Sequence, residues 1–240
     1  GRGFAGCDRP AQGRVAQGQA EETEVTTLGA LKTTLQSDLD REDGSLDTEI
    51  AAAINTAIGK WQNSRFYFNE RRSTTFDTVA SQPNYGTADD ADIPQFVRID
   101  QAHITVSAQR YTLKRRNFLD MEPLFDGSAI GGQPYEFSYY NREIWLYPVP
   151  TDVWTIRVIG LLKIAAPASD GETDNPWMTE AYELIRSTAK AYLAIHKLRD
   201  PDLAAMMGDE NSGAIANALT DLGLETALRV GTGIVRSTPF

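Results

Sequence analysis

The 240 residues carry 33 Asp and Glu against 23 Lys and Arg, a net charge of −10, with 41% apolar residues, one cysteine and two histidines. That balance argues against a sequence-independent grip on nucleic acid, which needs clustered cations to displace counterions. A lone Cys7 excludes an intrachain disulfide, and it cannot join His103 and His196 in a zinc site; a reducing compartment is the default. No run approaches the roughly 18 consecutive apolar residues of a membrane-spanning helix.

Residues 1–24 are rich in Gly, Ala, Gln and Arg, lack the apolar core of a signal peptide and show no periodicity. They read as a flexible arm. Thr27 then caps a first helix with Leu28, Leu31, Leu35 and Leu39 on one stripe, and Gly44 stands in its breaker position. Ser45 is placed to cap a second helix, with Asp47 and Glu49 at its positive end and a buried stripe from Leu46 to Trp61. The short connection predicts an antiparallel helix pair.

From Arg65 the period changes to strand alternation, through Ala80. A polar loop, Ser81–Pro94, follows; its length suits a functional tip or a mobile segment. Further strands are expected over 95–100, 103–107, 109–114, 135–139, 143–147 and 154–162. Residues 116–125 read as a short helical turn and 126–134 as a loop. Tyr140–Lys163 reads as two strands around a turn, with apolar side chains on both faces of each. A sheet open to water on one side should have one polar face, so this one is expected to pack on both.

Helix returns at Asn175-Pro176, a cap followed by proline at the first helical position, and runs to Leu198. Asp200-Pro201 repeats the signal for a fourth helix, weakened by Gly208 and Gly213. The fold class expected is α+β. Helix pairs at 25–64 and 175–226 close into a four-helix bundle, 65–165 forms an inserted antiparallel β domain, and 227–240 is an extended tail.

Candidates for chemistry are few. His103 lies in a strand and His196 near a helix end. No G-x-x-x-x-G-K-[ST] or G-x-S-x-G is present, and no G-x-G-x-x-G follows a strand. "ADDAD" (Ala88–Asp92) has several carboxylates but not the spacing of an EF-hand loop, and "DREDGSLDTE" (Asp40–Glu49) is accounted for by the helix turn. Glu70–Arg72 and Lys114–Arg116 are small charged patches, suited to surface salt bridges or to contact with a phosphate or an acidic neighbour. No catalytic, metal-binding or cofactor-binding residues are assigned, and the chain is read as no enzyme. The alternative of a glycan hydrolase would rest on Glu143 and Asp152 as a carboxylate pair.

The order of segments is familiar. "TLGALKTTLQSDLDRED", a second helix ending in "KWQNSRFYFNE", "IPQFVRIDQAHITV", "REIWLYPVPTDVWTIRVIGLLKI" and "TDNPWMTEAYELIRSTAKAYLA" resemble the head-to-tail adaptor proteins of tailed bacteriophages, over roughly Thr26 to Leu224. The resemblance is to the adaptor or tail tubular A-type proteins of short-tailed phages. It implies a homo-oligomeric ring, usually of twelve copies, under the portal protein, around a channel through which double-stranded DNA passes without sequence-specific binding. It also implies tail or nozzle proteins as partners, no membrane, no cofactor, and a place in the virion after synthesis in the host cytoplasm. A tail-completion or nozzle protein is the alternative within the same class.

By position in such a chain, the C-terminal segment would reach the portal, with Ile234, Val235 and Phe240 as apolar anchors and Arg229 and Arg236 as charge contacts. The two-faced strands would place Tyr139, Tyr140, Trp145 and Tyr147 at an interface with the next subunit or a tail protein. A helical cover from the same chain would satisfy that face equally well.

Overall fold

The computed structural model describes residues 26–126, 129–209 and 212–230. The arm expected at 1–24 and the tail candidates Ile234, Val235, Arg236 and Phe240 lie outside them. The described chain is α+β, with seven α-helices and a large curled mixed sheet.

The helical part begins with α1 (Leu28–Asp38), whose cap is Thr27: its hydroxyl accepts from the Ala30 N–H at 3.1 Å. Leu31 and Leu35 are fully buried. The second helix, α2 (Asp47–Trp61), is capped by Leu46 and not by Ser45. The Ser45 N–H is already taken by the Asp43 carboxylate, and the Asp47 N–H closes a turn onto the Gly44 carbonyl, so the chain enters the helix one residue later. Gly44 has φ +75°, a left-handed conformation that glycine adopts without strain. Ile50, Ala53, Ile54, Ala57, Ile58 and Trp61 form the buried stripe.

The long helix expected from Asn175 is three pieces: α4 (Pro176–Thr179), α5 (Tyr182–Leu193) and a π turn over Ala194–Leu198. Asn175 does cap the first, accepting from Trp177 N–H, while its amide donates to the Ala165 carbonyl and to Glu172. After α4 the Ala181 N–H reaches back five residues to the Pro176 carbonyl, widening the turn before α5 starts. The π turn ends at Arg199, φ +55°, and Asp200 then caps α6 (Pro201–Gly208). A fourth continuous helix is not formed. The chain breaks between Gly208 and α7 (Ala214–Val230), with Gly213 so close to Asp209 that a Cβ would lie 2.6 Å from its backbone N and O. The α7 helix runs through residues first read as tail, to Val230.

These helices share one core around α5, which packs on α1, α2, α6 and α7. Trp177 is fully buried there; its indole N–H donates to the Ile164 carbonyl at 3.2 Å, and Trp61 donates to Thr188 Oγ1 at 2.9 Å. Arg186 grips both Asp38 oxygens at 2.9 Å, with Lys190 Nζ 3.4 Å from one of them, tying α5 to the end of α1.

The sheet strands are β1 (Glu70–Asp77), β2 (Asn84–Tyr85), β3 (Phe96–Val106), β4 (Gln109–Arg115), β6 (Glu136–Tyr140), β7 (Glu143–Tyr147) and β9 (Thr155–Leu162). Their spatial order is β1-β9-β3-β4-β6-β7-β2, and β5 (Gly131–Gly132) pairs separately with β8 (Val149–Pro150). The two strands expected over 95–107 are one, β3. Two further expectations fail. The sheet is not wholly antiparallel: Arg116–Tyr135 carries the chain over in a short helical crossover, so β6 runs parallel to β4, and β5 runs parallel to β8. Nor do the strands of Tyr140–Lys163 pair with each other. The tight turn lies earlier, at Asn141 and Arg142, both with positive φ, and joins β6 to β7. After β7 the chain passes a cis Tyr147–Pro148 bond and β8, and places β9 between β1 and β3.

One face of the sheet is apolar across every main strand. Phe76, Tyr85, Ile99, Ile104, Leu113, Phe137, Ile144, Leu146, Ile156 and Val158 all fall in a second core. The sheet curls around this core until its two edge strands approach: the Phe76 and Tyr85 rings are 4.9 Å apart, and the Tyr85 hydroxyl meets the Val79 N–H at 3.1 Å. Tyr85 thereby orders the 81–94 loop. Its carboxylates are part of that architecture: Asp89 accepts from Gln82 and the Gly86 N–H, and Asp92 accepts from Thr74 and Arg71.

Candidate interaction surface

The outer face of the curled sheet is built in two parts. Under β6 and β7 it is aromatic. Alternation sends Phe137 and Leu146 inward and Trp145 and Tyr147 outward, where α3 (Phe118–Met121) and the 3₁₀ turn Glu122–Leu124 cover them. Phe118 stacks on Tyr140 with ring centroids 4.3 Å apart and planes 2° from parallel. It meets Trp145 edge-on at 5.1 Å, and Phe125 meets Trp145 and Tyr147 at 5.4 and 6.1 Å.

The four residues predicted at an interface therefore separate. Tyr139 turns inward, with its hydroxyl 2.9 Å from the Ile93 carbonyl and 3.0 Å from that of Phe96. Tyr147 is 6% exposed. Trp145 is half-buried, and its indole N–H finds no partner among the described residues. Tyr140 is 52% exposed. The short helix from the same chain covers most of this face, and what it leaves open is Tyr140 together with Leu119, Tyr135 and Ile130. Sequence reasoning missed Leu119 because a four-residue helix is too short to show which side faces water.

The remaining predicted residue within the described range, Arg229, lies in the last turn of α7. Its guanidinium sits 4.0 Å from the centre of the Tyr67 ring and pairs with Glu225. Tyr67 belongs to the 3₁₀ turn that joins α2 to β1; its N–H donates to Thr226 Oγ1 at 3.2 Å and its hydroxyl donates to Glu180. Burial, and then the Glu180 carboxylate, push the Tyr67 hydroxyl well above the ordinary tyrosine range. This cluster joins the helical core, the first strand and the point where the C-terminal segment departs. Leu224 and Leu228 lie one turn apart on α7, 48% and 82% exposed.

Nothing comparable forms around the titratable candidates. Glu143 opens β7 and accepts from Asn84 at 3.1 Å, while Asp152 follows β8 beyond the other end of that strand, with its carboxylate on the Val153 N–H. His196, in the π turn, lies against Tyr192 of α5 with ring centroids 4.4 Å apart and planes tilted by 47°. Among the described residues no group of three or more His, Cys, Asp or Glu is placed to hold a metal ion, and no helix is long and apolar enough to cross a membrane.

No curated protein matches the chain. A family model described as SU10 adaptor protein matches residues 26–236, which spans all of the described fold. The chain therefore belongs to the SU10 adaptor protein family, the structural head-to-tail adaptors of bacteriophages.

Proposed function

We propose that the protein is a structural component of the phage virion that forms a ring, of twelve copies, beneath the portal protein. The ring extends the DNA channel and docks the tail without catalysing a reaction. The helical core, with α5 at its centre, is the unit that packs beside its neighbours around the channel as a bundle, and the curled sheet is a second unit, directed toward tail proteins. Residues 229–240 reach the portal, anchored by Ile234, Val235 and Phe240, with Arg229 and Arg236 contacting acidic groups. Tyr140 and Trp145, with Leu119, form the aromatic part of the contact with tail components.

The observation that carries this reading is the family match over 26–236. The position of the apolar side chains supports it: Leu224 and Leu228 stand in water at the base of the C-terminal segment, and Leu119 and Tyr140 stand in water over the sheet. Co-sedimentation with the portal protein of the same phage tests it. A large complex near one-to-one, lost on deleting 231–240 and retained in a Leu119→Ala/Tyr140→Ala variant, is the expected result. Absence of any complex at micromolar concentration overturns it.

A further inference from the structure

The other part of the outer face, over β9, β3 and β4, is covered by nothing among the described residues. Alternation places Ile156, Val158, Ala102, Ile104 and Leu113 inside, and the intervening side chains point to water. Two cross-strand rows result. Thr75, Arg157, His103 and Thr112 form one, and Asp77, Thr155, Thr105 and Arg110 form the next; Lys114 lies on the same side of β4 as Arg110 and Thr112. Thr112 Oγ1 is 3.2 Å from His103 Nδ1. Burial, then Arg110 and Arg157, hold the His103 imidazole below its ordinary range, so both arginines reach it electrostatically.

Arg110, Arg157 and Lys114 form no salt bridge among the described residues, although the chain is acidic overall. Of the carboxylates beside them, Glu136 pairs with Arg116 at 2.8 Å, and Asp77 accepts only the Thr155 hydroxyl, at 2.7 Å, so it keeps its charge. Three cations without a salt bridge, one of them (Arg157) with its Nε donating to the Arg72 carbonyl at 2.8 Å, therefore share one polar face with the single carboxylate of Asp77, in a protein with net charge −10. The α1–α2 turn has the opposite character. Asp40, Glu42 and Asp43 are exposed there with Arg41 between them, and none of the four forms a salt bridge among the described residues. That turn is separated from the sheet by the 15 residues of α2, about 22 Å of helix.

We propose that the cationic outer face of β9, β3 and β4 binds the acidic α1–α2 turn of a second copy of this chain. The contact is heterologous, since one surface meets a different one, and such contacts close into rings or propagate as chains. The charges match in sign and balance, three cations with Asp77 on the face and three carboxylates with Arg41 in the turn, and their spread is compatible. Arg157 and Arg110 stand two strands apart, about 10 Å, which is the reach of a four-residue turn. DNA is the weaker fit. Three cations neutralise far fewer phosphates than the six to ten contacts (roughly) of a firm duplex complex, and the rest of the molecule repels phosphate. The inference rests on the reading that copies of the chain associate, and it assigns the surfaces by which they do so.

The test is sedimentation velocity of the full chain at low and high salt, with Arg110→Glu/Arg157→Glu and Glu42→Lys/Asp43→Lys variants alone and mixed. Wild type is expected to associate reversibly at low salt, and each variant alone to do so about tenfold more weakly. The equimolar mixture should regain association with the two variants alternating, because the reversed face meets the reversed turn and the two unchanged surfaces meet each other. Variants that sediment as wild type, a mixture that remains monomeric, or wild type that is monomeric at low salt would each overturn the assignment. A short DNA duplex shifted by wild type but not by Arg110→Glu/Arg157→Glu, without self-association, would transfer the face to nucleic acid. Portal co-sedimentation of the same variants separates the two readings: loss of self-contact with portal binding retained leaves the adaptor function standing.

Discussion

Asp38 shows how one side chain holds two helices. Burial alone would raise its carboxyl, but the paired hydrogen bonds from Arg186, with Lys190 beside them, outweigh burial and keep it below its ordinary value of 3.8. A depressed carboxylate contributes stability that is fully present above that ordinary value and is lost as pH falls through the folded-state value. Asp38→Asn should therefore cost about 1–3 kcal/mol at neutral pH, because two cations lose their partner. It should also flatten the acid limb of the stability curve, which urea titrations at pH 2 to about 7 would register. At Gly160 the constraint is steric. A Cβ there would lie 2.3 Å from the Arg98 carbonyl, where β3 bulges against β9. Gly160→Ala should destabilise by about 1–3 kcal/mol or unfold the sheet, measured by thermal denaturation. Trp177→Ala removes the largest fully buried side chain, and a loss of about 3–5 kcal/mol is expected by the same measurement.

At the scale of elements, the sequence was legible wherever local chemistry decides. Thr27, Asn175 and Asp200 are all caps in the structure, because a side-chain oxygen three residues or fewer from the free N–H groups needs no tertiary help. The α2 stripe and the strands β4, β7 and β9 also follow from spacing. What periodicity does not carry is pairing. Glu143–Tyr147 and Thr155–Leu162 look like partners because they are adjacent, yet three strands lie between them. The same limit hid the break near Ala181, where the apolar stripe continues while the backbone does not; the break after Gly208 falls where Gly208 and Gly213 weaken the helix. The aromatic surface was half legible. Trp145 and Tyr147 do face outward, but the cover supplied by Phe118 and Phe125 from 118–125 depends on a crossover that no local signal announces. Truncating the exposed Leu119 to alanine should leave stability within about 0.5 kcal/mol, so that a loss of tail docking there reports the surface and not the fold, whereas Tyr140→Ala also loses the Phe118 stack and should cost about 0.5–1.5 kcal/mol.

For the whole molecule, two apolar cores meet at a narrow junction. The 3₁₀ turn Tyr67–Asn69 enters the sheet from α2 and is held by α7 through Thr226 and Arg229. Phe66, Phe68 and Trp177 pack edge to face behind it at 5.4 and 6.1 Å. Arg229, at the end of α7, thus sits at the seam that joins the two cores. The central claim of the adaptor reading is assembly on the portal, and electron microscopy of the two purified proteins mixed tests it most directly. A ring of added density on one end of the portal, sharing its axis and absent when residues 231–240 are deleted, is the result the account predicts. Bare portals alongside monomeric chain, under conditions where both are folded, would contradict it.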